Sequence, residues 1–191
     1  MKSVCFIVDA YVTGAQLPRH LHAIYHASTD HPACTLRVTS LEKDNRLALI
    51  VQRFDALCIP QPALALGARL NHAAAASQAE WLIFALHATS LPVPLWQALF
   101  PLLDSYAVDA VALGSSEPTL PTRLLQRFLS SALHTPPYIA VRRTWLERLG
   151  GFDPELDQAA LHDFLQRLHA CPTRIHTFNP EDTTAIPGHI A

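Results

Sequence analysis

Histidine is the residue type that first suggests chemistry in this chain, which contains 11 histidines among 191 residues. His22 and His26 lie four residues apart on one face of a predicted helix, a spacing at which two imidazoles can bind one metal ion. His162, Asp163 and His169 resemble half of a second metal site. The first group lacks a third ligand nearby, and the second fits the polar face of an amphipathic helix. Solvated helix faces are therefore the favoured interpretation of both groups.

His87 differs from these groups because it follows a buried apolar run, Trp81 to Leu86, that predicts a strand. The surrounding segment reads FALHATSLP, and no Asp or Glu occurs from Trp81 to Leu103. A histidine at the end of such a strand is well placed to contact a ligand. A hydrogen bond to the local backbone is the simpler role, and both interpretations stay open.

Two adjacent arginines, Arg142 and Arg143, follow a predicted strand at Tyr138 to Val141. An arginine in this position is able to bind a phosphate or carboxylate group through two parallel hydrogen bonds. A solvated turn accounts for the pair equally well.

Composition and missing motifs disfavour several classes of function. No glycine-rich dinucleotide motif follows the first strand, and neither a P-loop nor a G-x-S-x-G elbow occurs. The formal net charge of -2 provides no basic surface for nucleic acid. No signal peptide and no apolar run of about 18 residues is visible, which predicts a cytoplasmic protein without a membrane span. Only 16% of residues are charged, which suggests a surface for self-association or a protein partner.

Strands alternate with helices through the first 115 residues, which predicts an α/β domain with a mainly parallel central sheet flanked by helices. Ligands of such sheets bind beyond the carboxyl ends of the strands. We therefore expect Asp9, Ser40, Pro60 and His87, each close to the end of a predicted strand, to line one rim. Residues 1–179 are predicted to form one domain, with a short helix around residues 124–129, and residues 180–191 a mobile tail.

Two stretches of the chain resemble family 2 glycosyltransferases, which transfer sugars from nucleotide sugars and have the GT-A fold. The first reads ARLNHAAAASQAEWLIFALHATSLP, residues 68 to 92, and aligns without a gap on Asn71, Glu80, Phe84 and Pro92. The second reads YIAVRRTWLERLGGFDPEL, residues 138 to 156. The first also looks like a bacterial subgroup with the motif F-L-H-A-D-T. The resemblance implies a single GT-A-type domain.

The acids that the family uses are absent from the matching positions. In the family, a D-x-D pair after the fourth strand holds Mn²⁺ or Mg²⁺ against the diphosphate of the nucleotide sugar. Here those positions are Leu86 and Ala88, and shifting the alignment by one residue restores no acid. The acid expected after the second strand falls near Ser40. We therefore expect no metal cofactor.

The family's catalytic base lies in an E-D-x-D motif, which falls on residues 160–163 and keeps only its last acid, Asp163. His162 and Asp163 are accordingly the candidate catalytic residues, and Asp157 is a further candidate base.

The resemblance also implies residues that bind the nucleotide sugar. Asp9 and Tyr11 match positions that cradle the base, and Arg69 and Asn71 match positions near the diphosphate. A structural role for Arg69 or Asn71 is the alternative. The full predicted binding set comprises Asp9, Tyr11, Ser40, Arg69, Asn71, His87, Arg142 and Arg143.

The sequence thus predicts a glycosyltransferase-like protein that has lost its metal and base carboxylates. We expect weak metal-independent transfer or binding of a nucleotide-diphosphate sugar. The alternative is a non-catalytic scaffold that binds a biosynthetic partner or a second copy of itself. A third, less favoured hypothesis is an active enzyme with a rebuilt metal site that includes His87 or His162.

Overall fold

The computed structural model describes residues 2–29, 31–62, 64–104, 107–114 and 135–178. In these ranges the strands are β1 (Val4–Asp9), β2 (Cys34–Ser40), β3 (Leu57–Pro60), β4 (Trp81–Ala85), β5 (Ala110–Leu113), β6 (Tyr138–Arg142) and β7 (Ile175–Phe178). The helices are α1 (Ala10–Thr13), α2 (Leu17–Ser28), α3 (Asn45–Gln52), α4 (Leu66–Ala75), α5 (Val93–Asp104), α6 (Arg143–Arg148) and α7 (Ala159–Ala170). A 3-10 turn covers Gly14–Gln16.

The strands form one seven-stranded sheet in the order β3-β2-β1-β4-β6-β5-β7. β1 pairs in parallel with β2 and β4, and β2 pairs in parallel with β3. β6 runs antiparallel to both β4 and β5, whereas β5 and β7 are parallel. The prediction of a mainly parallel sheet flanked by helices is confirmed, with β6 as its reversed strand.

The central strand β1 contributes to both hydrophobic layers of the domain. Val4, Phe6 and Val8 pack in a cluster that includes residues of α2 and α5. Cys5 and Ile7 pack on the other side with residues of α4 and α7. Because successive strand side chains point to opposite faces, a continuous apolar run is the sequence pattern of a strand covered on both faces.

The segment that follows β1 contains the short helix α1. The cause is the side chain of Asp9, which accepts hydrogen bonds from the backbone nitrogens of Tyr11 and Val12 and so caps the helix. The capping places Tyr11 at the carboxyl end of β1.

Helix α7 begins at Ala159, and the segment before it supports the start of α4. The carbonyl of Leu156 accepts from the backbone nitrogen of Gly67, at 3.0 Å. The Asp157 carboxylate accepts from the backbone nitrogen of Leu66, also at 3.0 Å. Since α4 has no capping side chain of its own, this segment supplies partners for its free nitrogens.

Two other predictions fall outside the described residues, namely the short helix around residues 124–129 and the tail at 180–191. The four cysteines are free thiols. Burial raises the pKa of Cys34 to about 12, so its thiol is a poor nucleophile at neutral pH. No helix in the described ranges combines the length and hydropathy of a membrane span.

Gly67 allows α4 to approach residues 153–158 closely. A Cβ atom built there would overlap the carbonyl oxygen of Asp153. Gly67→Ala is therefore expected to lower the free energy of unfolding by about 1–3 kcal/mol through overpacking. In an unobstructed helix the same change would raise stability by up to about 1 kcal/mol. Urea unfolding of the wild type and the variant measures the change in stability. A variant that is equally stable or more stable would contradict the close approach of Gly67 to Asp153.

Candidate functional site

The carboxyl ends of the parallel strands meet at one rim of the sheet. Asp9 at the end of β1 pairs with Thr39 on β2, and Ser40 pairs with Pro60 on β3. β4 lies parallel on the other side of β1, so His87 follows at the same rim. The sequence therefore predicted the rim correctly, and the side chains found there define what it can bind.

Asp9 is fully buried at this rim and binds Arg69 through two hydrogen bonds. Arg69 Nε donates to Asp9 Oδ2 at 2.9 Å, and Arg69 Nη2 donates to Oδ1 at 3.2 Å. The Thr39 hydroxyl donates to Oδ2 at 2.7 Å. Together with the α1 cap, these contacts tie β1, β2, α1 and α4 into one unit.

Arg69 is also bound at its third nitrogen, because Nη1 donates to the carbonyl of Leu64 at 2.7 Å. The side chain is 1% exposed and forms part of the floor of a cavity described below. These contacts favour a structural role for the Asp9–Arg69 pair, as part of the framework of the rim.

Asn71 binds the backbone of Phe152 through both ends of its amide. Nδ2 donates to the Phe152 carbonyl at 2.7 Å, and the Phe152 nitrogen donates to Oδ1 at 2.9 Å. Gly151 beside it has φ +75, and a Cβ atom there would lie 2.5 Å from Asn71 Oδ1. Asn71 therefore bridges backbone, which is the alternative that the sequence left open.

Beside the Asp9–Arg69 pair lies a cavity of about 620 Å³, here called the tyrosine cavity. Its apolar wall includes Tyr11, Leu41 and Leu64, which are 62%, 37% and 38% exposed. Asp157 and Gln158 line the opposite part, and the Asp157 side chain is exposed. An exposed aromatic ring beside aliphatic side chains can bind a flat organic group.

A second cavity, of about 330 Å³, lies at the end of β4 and is here called the histidine cavity. Both His87 and His162 line it, and Gln158 lines it together with the tyrosine cavity. His87 Nδ1 accepts from the Thr89 backbone nitrogen at 3.2 Å. In neutral His87 the proton therefore resides on Nε2. The structure thus brings two of the predicted residues, His87 and His162, to one cavity.

His20 is fully buried beneath the turn that carries His87. Its Nε2 contacts the carbonyl oxygen of Ala88 at 3.1 Å, so Nε2 carries a proton and donates it. Its Nδ1 contacts the hydroxyl of Tyr138. Burial raises the pKa of Tyr138 well above its usual range, which keeps the hydroxyl protonated as the donor to Nδ1. This neutral chain fixes the backbone at Ala88.

Burial of the ring lowers the pKa of His20, an effect that the hydrogen bond to Ala88 partly offsets and nearby His87 reinforces. The unfolded chain therefore binds more protons below the usual histidine pKa of about 6.5. Stability should be complete above that pH and fall below it, by at most about 1.4 kcal/mol per pH unit for this group.

Urea unfolding between pH 7.5 and 5 should therefore show a smaller loss of stability for His20→Gln than for the wild type. His22→Gln, which changes an exposed histidine of the same helix, is the control and should keep the wild-type slope. An unchanged slope in His20→Gln would show that His20 does not remain neutral in the folded protein.

A third cavity, of about 580 Å³, continues from the histidine cavity past Ala88, which lines both. It is bordered by Gln16, Arg19 and residues 88–92. Arg19 is exposed and donates to Gln16 Oε1 at 3.0 Å. The three cavities thus follow one another along the rim and share Gln158 and Ala88.

Besides Asp9 and Asn71, three residues of the predicted binding set do not line these cavities. Ser40 is buried, and its hydroxyl donates to the Glu42 carbonyl at 2.8 Å. Arg142 pairs with Trp81, the first residue of β4, and therefore lies at the opposite end of the sheet. There it donates to Glu80 at 2.7 Å.

Arg143 lies at this opposite end as well and binds the turn before β4. Its guanidinium donates to the carbonyls of Ala74, Ser77 and Ala79. The arginine pair is absent from the rim because β6 is antiparallel. A contact between either arginine and a ligand bound at the rim does not agree with this position.

The two candidate catalytic residues, His162 and Asp163, are adjacent on α7 but have different partners. Asp163 forms an ion pair with Arg167, whose Nη2 donates to Oδ2 at 2.6 Å. His162 lies beside the histidine cavity, and its Nε2 contacts the Gln166 side-chain nitrogen at 2.8 Å. Asp163 therefore has a partner away from the cavity, whereas His162 faces it.

At the end of β4, the two positions expected to hold Mn²⁺ or Mg²⁺ carry no carboxylate. Leu86 is buried in the core, and Ala88 offers no side-chain ligand atom. These cations require several oxygen ligands. Among the described residues, no group of three His, Cys, Asp or Glu side chains is placed to hold a metal ion.

No protein-family model matches the chain, and no curated protein matches its sequence. Solved structures are similar to it. The mannosyltransferase PcManGT from Pyrobaculum calidifontis, in complex with GDP-Man and Mn²⁺, matches with a TM-score of 0.67 and 20% identity. That match covers 94% of this chain and 55% of the mannosyltransferase.

Residues 1–349 of TarS from S. aureus match with a TM-score of 0.70 and 16% identity, over 93% of this chain and 58% of that one. Glucosyl-3-phosphoglycerate synthase from Mycobacterium tuberculosis matches with a TM-score of 0.60 and 16% identity, over 93% and 70%. The chain has the GT-A fold. At these identities the likeness establishes the GT-A fold alone, and the chain spans little more than half the length of the first two structures.

The sequence did not single out several residues that line the cavities of this GT-A domain. They are Gln16, Arg19, Leu41, Leu64, Thr135 and Gln158. Gln158 has the clearest signal, because it lies one helical turn before His162, at the N-terminus of the helix, where ligand contacts are common. Leu41 and Leu64 carry no such signal, since exposed leucines are frequent on protein surfaces.

Proposed function

We propose that this chain binds a nucleotide-diphosphate sugar at the rim of its GT-A fold without a divalent cation. The observation that carries the proposal is the row of joined cavities at the carboxyl ends of the strands, whose described lining includes polar and aromatic side chains but no group of three metal-binding side chains. Known structures with this fold support the ligand class, because PcManGT was solved with GDP-Man and TarS with UDP-GlcNAc.

The tyrosine cavity is the proposed site of the nucleoside. The Tyr11 ring offers a face on which a base can stack, while Leu41 and Leu64 exclude water from its edge. Asp157 is positioned to accept hydrogen bonds from the ribose hydroxyls or the base, since its side chain is exposed in this cavity. Beneath the ligand, the Asp9–Arg69 pair holds the floor in one geometry.

Binding is the favoured function, and any transfer is expected to be weak. Removal of the acceptor proton needs a free base near the sugar. Asp163 is paired with Arg167, and His162 Nε2 already contacts Gln166. One carboxylate oxygen of Asp157 accepts a hydrogen bond from the backbone nitrogen of Leu66, and the proposed nucleoside site uses this side chain as well.

Thermal-shift measurements with UDP-, GDP- and dTDP-sugars, each in EDTA, test the proposal. We expect one nucleotide class to raise the melting temperature, and Tyr11→Ala to abolish most of the shift. Tyr25→Ala is a matched control, because Tyr25 is another exposed tyrosine that does not line the tyrosine cavity. A melting temperature that no nucleotide sugar changes would overturn the proposal. Release of nucleoside diphosphate in the same samples measures any transfer or hydrolysis.

A second candidate function is that of a scaffold for a protein partner or a second copy of the chain. It is favoured by Leu49 on α3 and Leu57 on the edge strand β3, which are 62% and 56% exposed. Exposed apolar side chains beside an open sheet edge favour association. Light scattering after size exclusion tests it, with Leu57→Glu expected to dissociate any oligomer formed there.

A further inference from the structure

We propose that the histidine cavity is an anion site, which binds the diphosphate group through His87, His162, Gln158 and Thr135 in place of a divalent cation. The inference rests on the proposed function for the identity of the whole ligand. The anion selectivity itself rests on the side chains that line this cavity.

Among the described residues that line the histidine cavity, the polar side chains can donate hydrogen bonds and none is a carboxylate. Its polar side chains are two imidazoles, one amide and one hydroxyl, and its remaining lining residues are Val12, Leu86, Ala88 and Leu161. A hard cation is held mainly by carboxylate and carbonyl oxygens. A phosphate group is held by N–H and O–H donors and by positive charge. The composition of the cavity therefore favours an anion.

The contacts of His87 with Thr89 determine which ring nitrogen can donate a hydrogen bond. Because the Thr89 backbone nitrogen donates to Nδ1, the neutral ring carries its proton on Nε2, the nitrogen that this contact leaves available. The Thr89 hydroxyl also contacts Nδ1, at 2.9 Å. These two contacts restrain the ring, and the His20–Ala88 hydrogen bond restrains the backbone behind it.

His162 contributes from the facing helix. Its Nε2 contacts the Gln166 amide nitrogen, which donates to it, so the neutral ring carries its proton on Nδ1. Gln158 and Leu161 belong to the same end of α7 and also line the cavity. The positive end of the α7 dipole therefore adds to the attraction that the side-chain donors exert on an anion.

The arginines that were predicted to neutralise the diphosphate are engaged elsewhere. Arg69 binds Asp9, and Arg142 and Arg143 lie at the other end of the sheet. Within the described lining of the histidine cavity, the two imidazoles supply the ring N–H donors that take the place of these guanidinium groups. Because Gln158 also lines the tyrosine cavity, one ligand can place its base there and its diphosphate between the histidines.

Calorimetric titration with inorganic pyrophosphate in EDTA tests the inference. We expect wild-type protein to bind pyrophosphate and His87→Gln/His162→Gln to bind it at least about tenfold more weakly, the loss expected for one charge-assisted contact or more. His72→Gln, an exposed histidine on α4 that does not line the cavity, should bind like the wild type. In wild-type NMR spectra, pyrophosphate should shift the ring resonances of His87 and His162 and leave those of His22 in place.

Failure of the inference is distinguishable from failure of the proposed function. Absence of pyrophosphate binding, or equal binding by the double variant, would overturn the anion site. Nucleotide-sugar binding that is equally tight in the wild type and the double variant would also overturn the anion site, but it would leave the proposed function intact. Conversely, histidine-dependent pyrophosphate binding without any nucleotide-sugar binding would support the anion site and overturn the proposed function.

Discussion

Arg69→Met should lower the free energy of unfolding by about 3–5 kcal/mol, because it leaves the carboxylate of Asp9 buried without its charge partner. Asp9 is 0% exposed and Arg69 is 1% exposed, so water cannot replace the lost contact without opening the rim. Only the Thr39 hydroxyl and the two nitrogens of α1 would remain among the described partners of the carboxylate. Chemical denaturation measures this loss directly.

Two further variants separate the ion pair from general effects of the substitution. Arg19→Met makes the same change at an exposed arginine and should alter stability by no more than about 0.5 kcal/mol. Asp9→Asn/Arg69→Met removes the stranded charge and should be more stable than Arg69→Met alone. A double variant that is less stable than the single variant would show that the burial of charge is not the cause.

Asn71→Ala should lower the free energy of unfolding by about 2–4 kcal/mol, because it leaves two backbone groups of Phe152 without partners. Phe152 is 1% exposed, so its nitrogen and carbonyl are removed from water. Its ring packs between Phe84 and Phe164, with centroid distances of 4.9 and 4.5 Å. Loss of the Asn71 bridge should therefore loosen the contact between β4 and α7 around the histidine cavity.

Urea unfolding and amide exchange at Phe152 measure this effect. Asn45→Ala, at an exposed asparagine on α3, is the matched control and should remain within about 0.5 kcal/mol of the wild type. Unchanged protection of the Phe152 amide in Asn71→Ala would contradict the bridging role.

The sequence predicted the fold well because its central strands are buried on both faces and its helices have clear apolar faces. Continuous runs such as Val4 to Val8 predict a parallel arrangement, and a parallel arrangement places strand ends at a common rim. The direction of β6 was not predictable in the same way. The residue pattern of a strand does not reveal its direction, so Arg142 and Arg143 were expected at the rim. Because β6 is antiparallel to β4, its first residue lies at the rim and the two arginines lie at the opposite end of the sheet.

The roles of individual site residues were less predictable, because they depend on partners distant in the sequence. Asp9 and Arg69 are 60 residues apart, and Asn71 and Phe152 are 81 residues apart. The resemblance to family 2 glycosyltransferases identified these residues, yet only the structure distinguishes groups that build the rim from groups that face its cavities. His87 belongs to the second kind, together with Tyr11 and His162.

If the rim binds a nucleotide sugar without a divalent cation, Mn²⁺ should not change the binding. Calorimetric titration of the nucleotide sugar that gives the largest thermal shift, in parallel in EDTA and in Mn²⁺, measures this. We expect the same affinity and stoichiometry in both buffers. Binding that requires Mn²⁺, or no binding in either buffer, would contradict this expectation.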